Sequence, residues 1–150
     1  GDVLVIVFFG FVPVGGTYYV QALTWTPDVT IASLISGLLI DTLLVVNNYR
    51  DREADARSGK RTVIVRFGEK FGRYFYLMLG VTASLLCLCF LREGHFLAAL
   101  LPQLYLIPHF LTWKRMVKIY SGKKLNSILG ETSRNMLFMG ILIAIGMLVS

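Results

Sequence analysis

Asn47, Asn48, Arg50, Asp51 and Asp55, followed closely by Lys60 and Arg61, are the residues of this 150-residue chain whose types and spacing could do chemistry together. They begin where a long apolar run stops, so polar groups gather at the end of a hydrophobic segment. A helix carried through the stretch puts Asn47, Asp51 and Asp55 on one face, four apart, with neighbouring Cβ atoms about 5–6 Å from one another. Two carboxylates so close repel unless a cation lies between them. Magnesium suits the task, because it takes one or two carboxylates and completes its shell with water and phosphate oxygens. Arg50, Arg52, Arg57, Lys60 and Arg61 add cationic donors for the remaining phosphate oxygens. On this reading the stretch is a diphosphate site at a membrane surface. A mixed-charge run after an apolar segment also describes a solvated loop, and only the order of the residues separates the two.

Apolar elements must deliver such a site, and five runs come near or exceed the length that crosses a hydrocarbon core of about 30 Å. They cover about 3–22, 28–49, 74–91, 95–113 and 134–149, which predicts an all-α polytopic membrane bundle. Pro13 with Gly15 and Gly16 predicts a kink or break in the first span. Tyr18 and Tyr19 lie in its polar second half, either as an aromatic belt at the interface or as a wall of a substrate cavity. Asp41 lies inside the second span, where a charge costs about 2.5–3.5 kcal/mol, so it should face the bundle interior and have a partner. Asp41, Asn48 and Asp55 recur every seven residues; Asp41 therefore supports the metal ligands, binds the acceptor, or pairs two helices. Residues 62–68 form a strand or a surface helix able to cap the cavity. Gly80 with Ser84, and Gly140 with Ala144, have the small-xxx-small spacing of close helix packing. His95 and His109, near the two ends of the fourth span, read as interfacial, and Cys87 and Cys89 as packing residues.

With 55% hydrophobic and 16% charged residues, and a mean hydropathy of +0.65, the chain is not a soluble domain. The net charge of +6 belongs to topology and anionic headgroups, and no nucleic-acid partner is expected. Eight Lys/Arg residues fall within 50–73, six within 114–134 and one, Arg92, in another turn. Five spans with that bias put Gly1 and the motif loop in the cytoplasm and Ser150 outside, with the lipid bilayer of the cell's inner (plasma) membrane as the surroundings. The chain enters a span almost at Gly1 with neither a basic leader nor a small-residue cleavage site, and reads as part of a longer protein.

Asn-Asn-x-Arg-Asp-x-x-x-Asp from Asn47 to Asp55 resembles the second aspartate-rich motif of the UbiA superfamily of intramembrane prenyltransferases. Gly-Lys-Arg-Thr-x-x-x-Arg-x-Gly from Gly59 to Gly68 extends the likeness, which looks closest to the 1,4-dihydroxy-2-naphthoate polyprenyltransferase branch. The run Gly16-Thr17-Tyr18-Tyr19 is similar to one in that branch. The resemblance implies the C-terminal half of a nine-helix bundle that transfers a polyprenyl group from polyprenyl diphosphate to 1,4-dihydroxy-2-naphthoate, forming demethylmenaquinone with Mg2+. It implies Asp51, Asp55 and Arg50 as catalytic residues, with Asp51 and Asp55 on the metal. Asn48 supplies a carbonyl ligand or positions a metal-bound water, Lys60 and Arg61 contact the diphosphate, and Tyr18, Tyr19 and Asp41 border the substrate cavity. The superfamily uses two aspartate-rich motifs, one in each half, and only one is present in this sequence. The missing N-terminal half is therefore an implied partner, and the 150 residues alone are expected to be inactive. Two other classes fit less well. A CDP-alcohol phosphotransferase would carry an upstream Asp-Gly-x-x-Ala-Arg element that is absent, and a non-catalytic membrane fragment would use the charged loop only to set topology.

Overall fold

The computed structural model describes residues 1–149; Ser150, expected on the outer side, lies outside the described residues. Five helices run through it: α1 (Asp2–Ala22), α2 (Pro27–Arg57), α3 (Val63–Glu93), α4 (Phe96–Ile119) and α5 (Lys123–Val149). Each is long and apolar enough to cross a membrane, and there is no strand among the described residues. The bundle is all-α and multi-pass, as its composition requires.

Pro13 widens α1 instead of breaking it. Proline lacks the N–H of a helical turn and its ring pushes on the carbonyl four residues back. The helix absorbs this as a π-type segment over Val7–Gly15. The same segment meets α2 closely. A side chain at Gly10 would strike the Ser33 carbonyl, and one at Gly37 would strike the Ile6 backbone. These glycines let the two backbones touch, while Val3, Leu4, Phe8 and Val20 point outward as a lipid face.

The element that carries the site is α2. Thr26 caps it, its Oγ1 accepting from Val29 N at 3.3 Å, with Pro27 in the first turn. Its 31 residues rise about 46 Å, more than the ~30 Å hydrocarbon thickness. The surplus is the polar stretch, which therefore projects past the apolar crossing as continuous helix. After the Ser58–Gly59 turn, with Gly59 at φ 77°, Thr62 caps α3 by accepting from Val65 N at 3.2 Å. Residues 62–68 thus form a short helix, not a strand, and it ends at a kink where Gly68 has φ 88° and ψ 171°.

Two cores hold the helices. Ile35, Leu39, Ala83, Phe90 and Met139 form one at mid-bundle. Val45, Val46, Tyr49, Ile64, Tyr76, Leu125 and Ile128 form the other, directly beneath the polar end of α2. Beside it Arg52 lies between the rings of Tyr49 and Tyr120, at 4.5 and 4.9 Å. Arg73 donates to Tyr49 Oη at 3.0 Å and to Glu69 at 3.3 Å. Tyr120, at φ 65°, completes this clasp, and its hydrogen bond with Glu69 raises its hydroxyl above the ordinary tyrosine range. The ends of α2, α3 and α4 are thereby tied together.

Two expectations about packing are overturned and a third is met. His109 is not interfacial: α4 continues to Ile119, which puts His109 in mid-helix, 1% exposed and stacked between Tyr76 and Tyr105. Its Nε2 is 3.2 Å from the Leu77 carbonyl and must donate there, so Nδ1 accepts from the Tyr105 hydroxyl at 2.9 Å. Gly80 is close-packed as expected, against that histidine ring, and Ser84 is buried and donates to Gln103 at 2.9 Å. Gly140 and Ala144 are exposed; the glycine of α5 that a helix abuts is Gly146, against the Ala98 backbone.

Candidate active site

The helix runs unbroken through Asn47, Asn48, Arg50, Asp51 and Asp55, which puts the two aspartates one turn apart on α2. Neither carboxylate is bare. Arg50 grips Asp51 with two parallel bonds, Nε to Oδ1 at 2.8 Å and Nη2 to Oδ2 at 2.7 Å. The Ser58–Gly59 turn folds Lys60 back over Asp55, so that Nζ is 3.3 Å from both carboxylate oxygens. The Asp51 side chain is 38% exposed and that of Asp55 only 12%, so the pair reaches from solvent into the protein. Asn48, one turn before Asp51, is buried.

A cavity of about 360 Å³ opens beside this end of α2, lined by Asn48, Lys60, Arg61, Thr62 and Arg66 together with Asp2. The arginines of the region divide into two kinds. Arg50 and Arg73 are bound to carboxylates or other protein groups, and Arg52 is buried, donating to the Tyr49 carbonyl at 2.6 Å. Arg61 and Arg66 have no side-chain hydrogen bond or ion pair among the described residues, and both face the cavity. Thr62 fixes their positions: it caps α3 immediately after Arg61, and Arg66 follows one turn later on the same face. The site therefore has two free guanidiniums, one ammonium shared with Asp55, the Asp2 carboxylate in the lining, and Asp51 and Asp55 on the adjoining helix. Such a set can receive a polyanion and hold a hard cation beside it.

Asn48, Lys60 and Arg61 line one cavity, Asp55 joins them through Lys60, and Asp51 and Arg50 form a bonded pair one turn from Asp55 on α2. Arg66 lines the cavity too, although the motif alone does not mark it as a site residue; its spacing of four from Thr62 is the signal in the sequence that points to it. Asp2 lines the cavity, with a buried Oδ1 that has no hydrogen-bond partner among the described residues. Asn126 also reaches the site from α5, and nothing in the sequence connects it with a motif 76 positions earlier.

Asp41 lies on the Asn48 and Asp55 face of α2, two turns deeper, about 10 Å from Asn48 along the axis. It is completely buried, and neither oxygen has a hydrogen-bond partner among the described residues, so the partner its depth called for is not supplied by them. Tyr18 and Tyr19 are not brought to the motif. Tyr18 lines a separate cavity of about 610 Å³ with Thr17, Gln21, Thr26, Val29 and His95 at the opposite end of the bundle. Val29 and Asn48 are 19 residues apart on α2, about 28 Å.

No group of three or more His, Cys, Asp or Glu side chains is arranged to hold a metal among the described residues. Asp51 and Asp55 still fit a divalent cation of the magnesium type. They are hard oxygen donors one turn apart, and magnesium is ordinarily bound by one or two carboxylates with water and substrate phosphate.

Residues 1–141 match the model of the UbiA prenyltransferase family. The 1,4-dihydroxy-2-naphthoate octaprenyltransferase of Haemophilus influenzae is 35% identical over 153 residues, covering 99% of this chain and 49% of that protein. The enzyme of the same name from Escherichia coli is 41% identical over 88 residues, 59% of this chain and 28% of its own length. That of Mycobacterium tuberculosis is 41% identical over 86 residues, 57% of this chain and 30% of its own. The chain thus spans about half the length, or less, of the curated relatives it matches. No solved structure matches it.

Proposed function

The chain belongs to the UbiA prenyltransferase family, and on that premise we propose that it forms part of an enzyme transferring a polyprenyl group from polyprenyl diphosphate to 1,4-dihydroxy-2-naphthoate. The product is the hydroquinone form of demethylmenaquinone, released with pyrophosphate and CO2. One observation carries the proposal: a cavity at the end of a membrane-crossing helix is lined by two uncommitted arginines and by Lys60, which holds Asp55, with Asp51 one turn away on the same helix. The shared name of the relatives supports naphthoate as the acceptor.

Arg61, Arg66 and Lys60 bind the diphosphate and orient its allylic ester toward the membrane. The C–O bond breaks with its electron pair leaving on pyrophosphate, and the three cations neutralise the charge as it develops there. The naphthoate ring then supplies the pair for the new C–C bond, and its aromaticity returns as the bond to its carboxyl carbon breaks, leaving that pair on the ring and releasing CO2. Asp51 and Asp55 would hold a divalent cation, proposed as Mg2+, which when bound neutralises further diphosphate charge. Asn48 offers its amide oxygen to the same ion or to its water. Asp41, deeper on the same face, belongs to the acceptor side. Tyr18, in the cavity at the opposite end of the bundle, walls the path of a long prenyl tail, and the exposed Tyr19 flanks it. Two carboxylates do not complete a diphosphate-bound metal cluster, so we assign the remaining protein ligands to a further segment, an N-terminal half with its own aspartate-rich motif. The motif loop faces the cytoplasm at the inner membrane, since 14 of the 15 Lys/Arg residues fall within 50–73 and 114–134, segments that alternate spans put on one side.

The test is prenylation of 1,4-dihydroxy-2-naphthoate by the intact enzyme in membranes, with magnesium and a long-chain prenyl diphosphate. Transfer that disappears in Asp51→Asn and Asp55→Asn is the expected result. Transfer to another aromatic acceptor but not to the naphthoate would overturn the assignment of the branch.

A further inference from the structure

Arg50 is the side chain of the motif whose bonding is most complete. Nε and Nη2 hold Asp51, Nη2 also reaches Asn47 Oδ1 at 2.7 Å, and Nη1 donates to Asn126 Oδ1 at 2.8 Å. A guanidinium only donates, so the Asn126 amide must present its oxygen. With every nitrogen engaged by protein, Arg50 has no edge left for a phosphate. It fixes the direction of Asp51, and the bond from Nη1 settles which way the guanidinium itself faces.

Asn126 is well placed for that purpose. It stands at the start of α5's regular helix, between Leu125 and Ile128, both fully buried in the core that contains Val45, Val46 and Tyr49 of α2. Those two anchors hold the backbone at 126 against the end of α2, although the amide itself is at the surface. We propose that Asn126 is a positioning residue which, through Arg50, sets the Asp51 carboxylate in the orientation that receives the divalent cation. The proposal rests on the reading of Asp51 as a metal ligand. Groups that orient a ligand ordinarily change metal affinity or activity by 10–100-fold when removed. Because Arg50 keeps its Asn47 bond, the low end of that range is expected.

The experiment measures Mn2+ binding to the intact protein in nanodiscs, in the presence of pyrophosphate, by electron paramagnetic resonance. Thermal unfolding is followed in parallel. Asn126→Ala should weaken Mn2+ binding about 10-fold with the unfolding midpoint unchanged. The same substitution in an Arg50→Ala background should add nothing, because its effect passes through Arg50. Asp51→Asn is the control. If Asp51→Asn weakens binding while Asn126→Ala stays within about twofold of the parent, the positioning role is overturned and the metal reading stands. Equal losses from Asn126→Ala in both backgrounds, or a loss matched by a lower unfolding midpoint, overturn it as well. If Asp51→Asn has no effect, the metal reading falls and takes this inference with it.

Discussion

Replacing Arg61, Arg66 and Arg73 in turn by alanine separates binding from scaffolding within one short segment. Arg61 and Arg66 make no side-chain hydrogen bond or ion pair among the described residues and line the basic cavity. Arg73, in α3, is bonded to Tyr49 and Glu69. A hydrogen bond to a charged group contributes about 1.5–3 kcal/mol when desolvated, and solvent screening at an open cavity lowers this to about 1–2 kcal/mol. That converts to roughly 5–30-fold in dissociation constant for each arginine, at about 1.4 kcal/mol per tenfold. Arg73→Ala removes one bond between helices, to Tyr49, and one within α3, to Glu69, and should lower the unfolding midpoint while leaving diphosphate affinity within about threefold. The assay is calorimetric titration of the nanodisc-embedded protein with a short prenyl diphosphate and magnesium, beside thermal unfolding of each variant. Arg66→Lys, which keeps the charge but loses the fork, should fall between parent and alanine. If Arg61→Ala and Arg66→Ala both bind as the parent does, and Arg73→Ala does not, the division into free and committed arginines is wrong.

Asp51→Asn and Asp55→Asn should each reduce magnesium-dependent transfer by at least about 100-fold with the helix content retained; near-normal turnover in both would remove the metal assignment. A cysteine at Ser58, in the exposed turn after α2, should react only with reagent supplied from the cytoplasmic side, and labelling from outside would reverse the topology. Gly80→Val drives a side chain into the His109 ring and should destabilise the bundle by roughly 1–3 kcal/mol, read as a lower unfolding midpoint. His109→Ala in the same protein should recover part of that loss, and no recovery would mean that the clash lies elsewhere.

The five helices were legible because membrane crossing leaves a coarse mark, a run of apolar residues about 20 long. The motif was legible because its residues are local: Asn48, Asp51 and Asp55 lie on one helix, and Lys60 to Arg66 on the turn and cap that follow it. What could not be read is set by contacts between distant segments. His109 looked interfacial because apolar patterning ends the fourth span early. The helix continues through Trp113 and the basic residues after it, since Trp113 donates to the Arg73 carbonyl at 2.9 Å and holds that turn against α3. Gly146 is recognisable as a packing glycine only once Ala98 lies against it. Asp41 announced its burial but not its neighbours.

The arginines carry the same lesson into the chemistry. Sequence gives each of them one positive charge and the same reach, so Arg50, Arg52, Arg61, Arg66 and Arg73 all qualify as phosphate donors. Helix geometry begins to divide them: Arg52 follows Asp51 by one residue, about 100° around α2, and so points to the clasp with Tyr49 and Tyr120. The partners finish the division. Arg50 is occupied by Asp51, Asn47 and Asn126, and Arg73 by Tyr49 and Glu69, whereas the cavity arginines make no side-chain hydrogen bond or ion pair among the described residues. A guanidinium without an acceptor beside an open cavity is stabilised only by water, and an entering diphosphate can replace that water at little cost. A guanidinium already gripping a carboxylate would have to give up that bond first. The uncommitted pair is therefore where an anion gains most, which explains why Arg66, no more prominent in the sequence than Arg57, belongs with Arg61 in the proposed site.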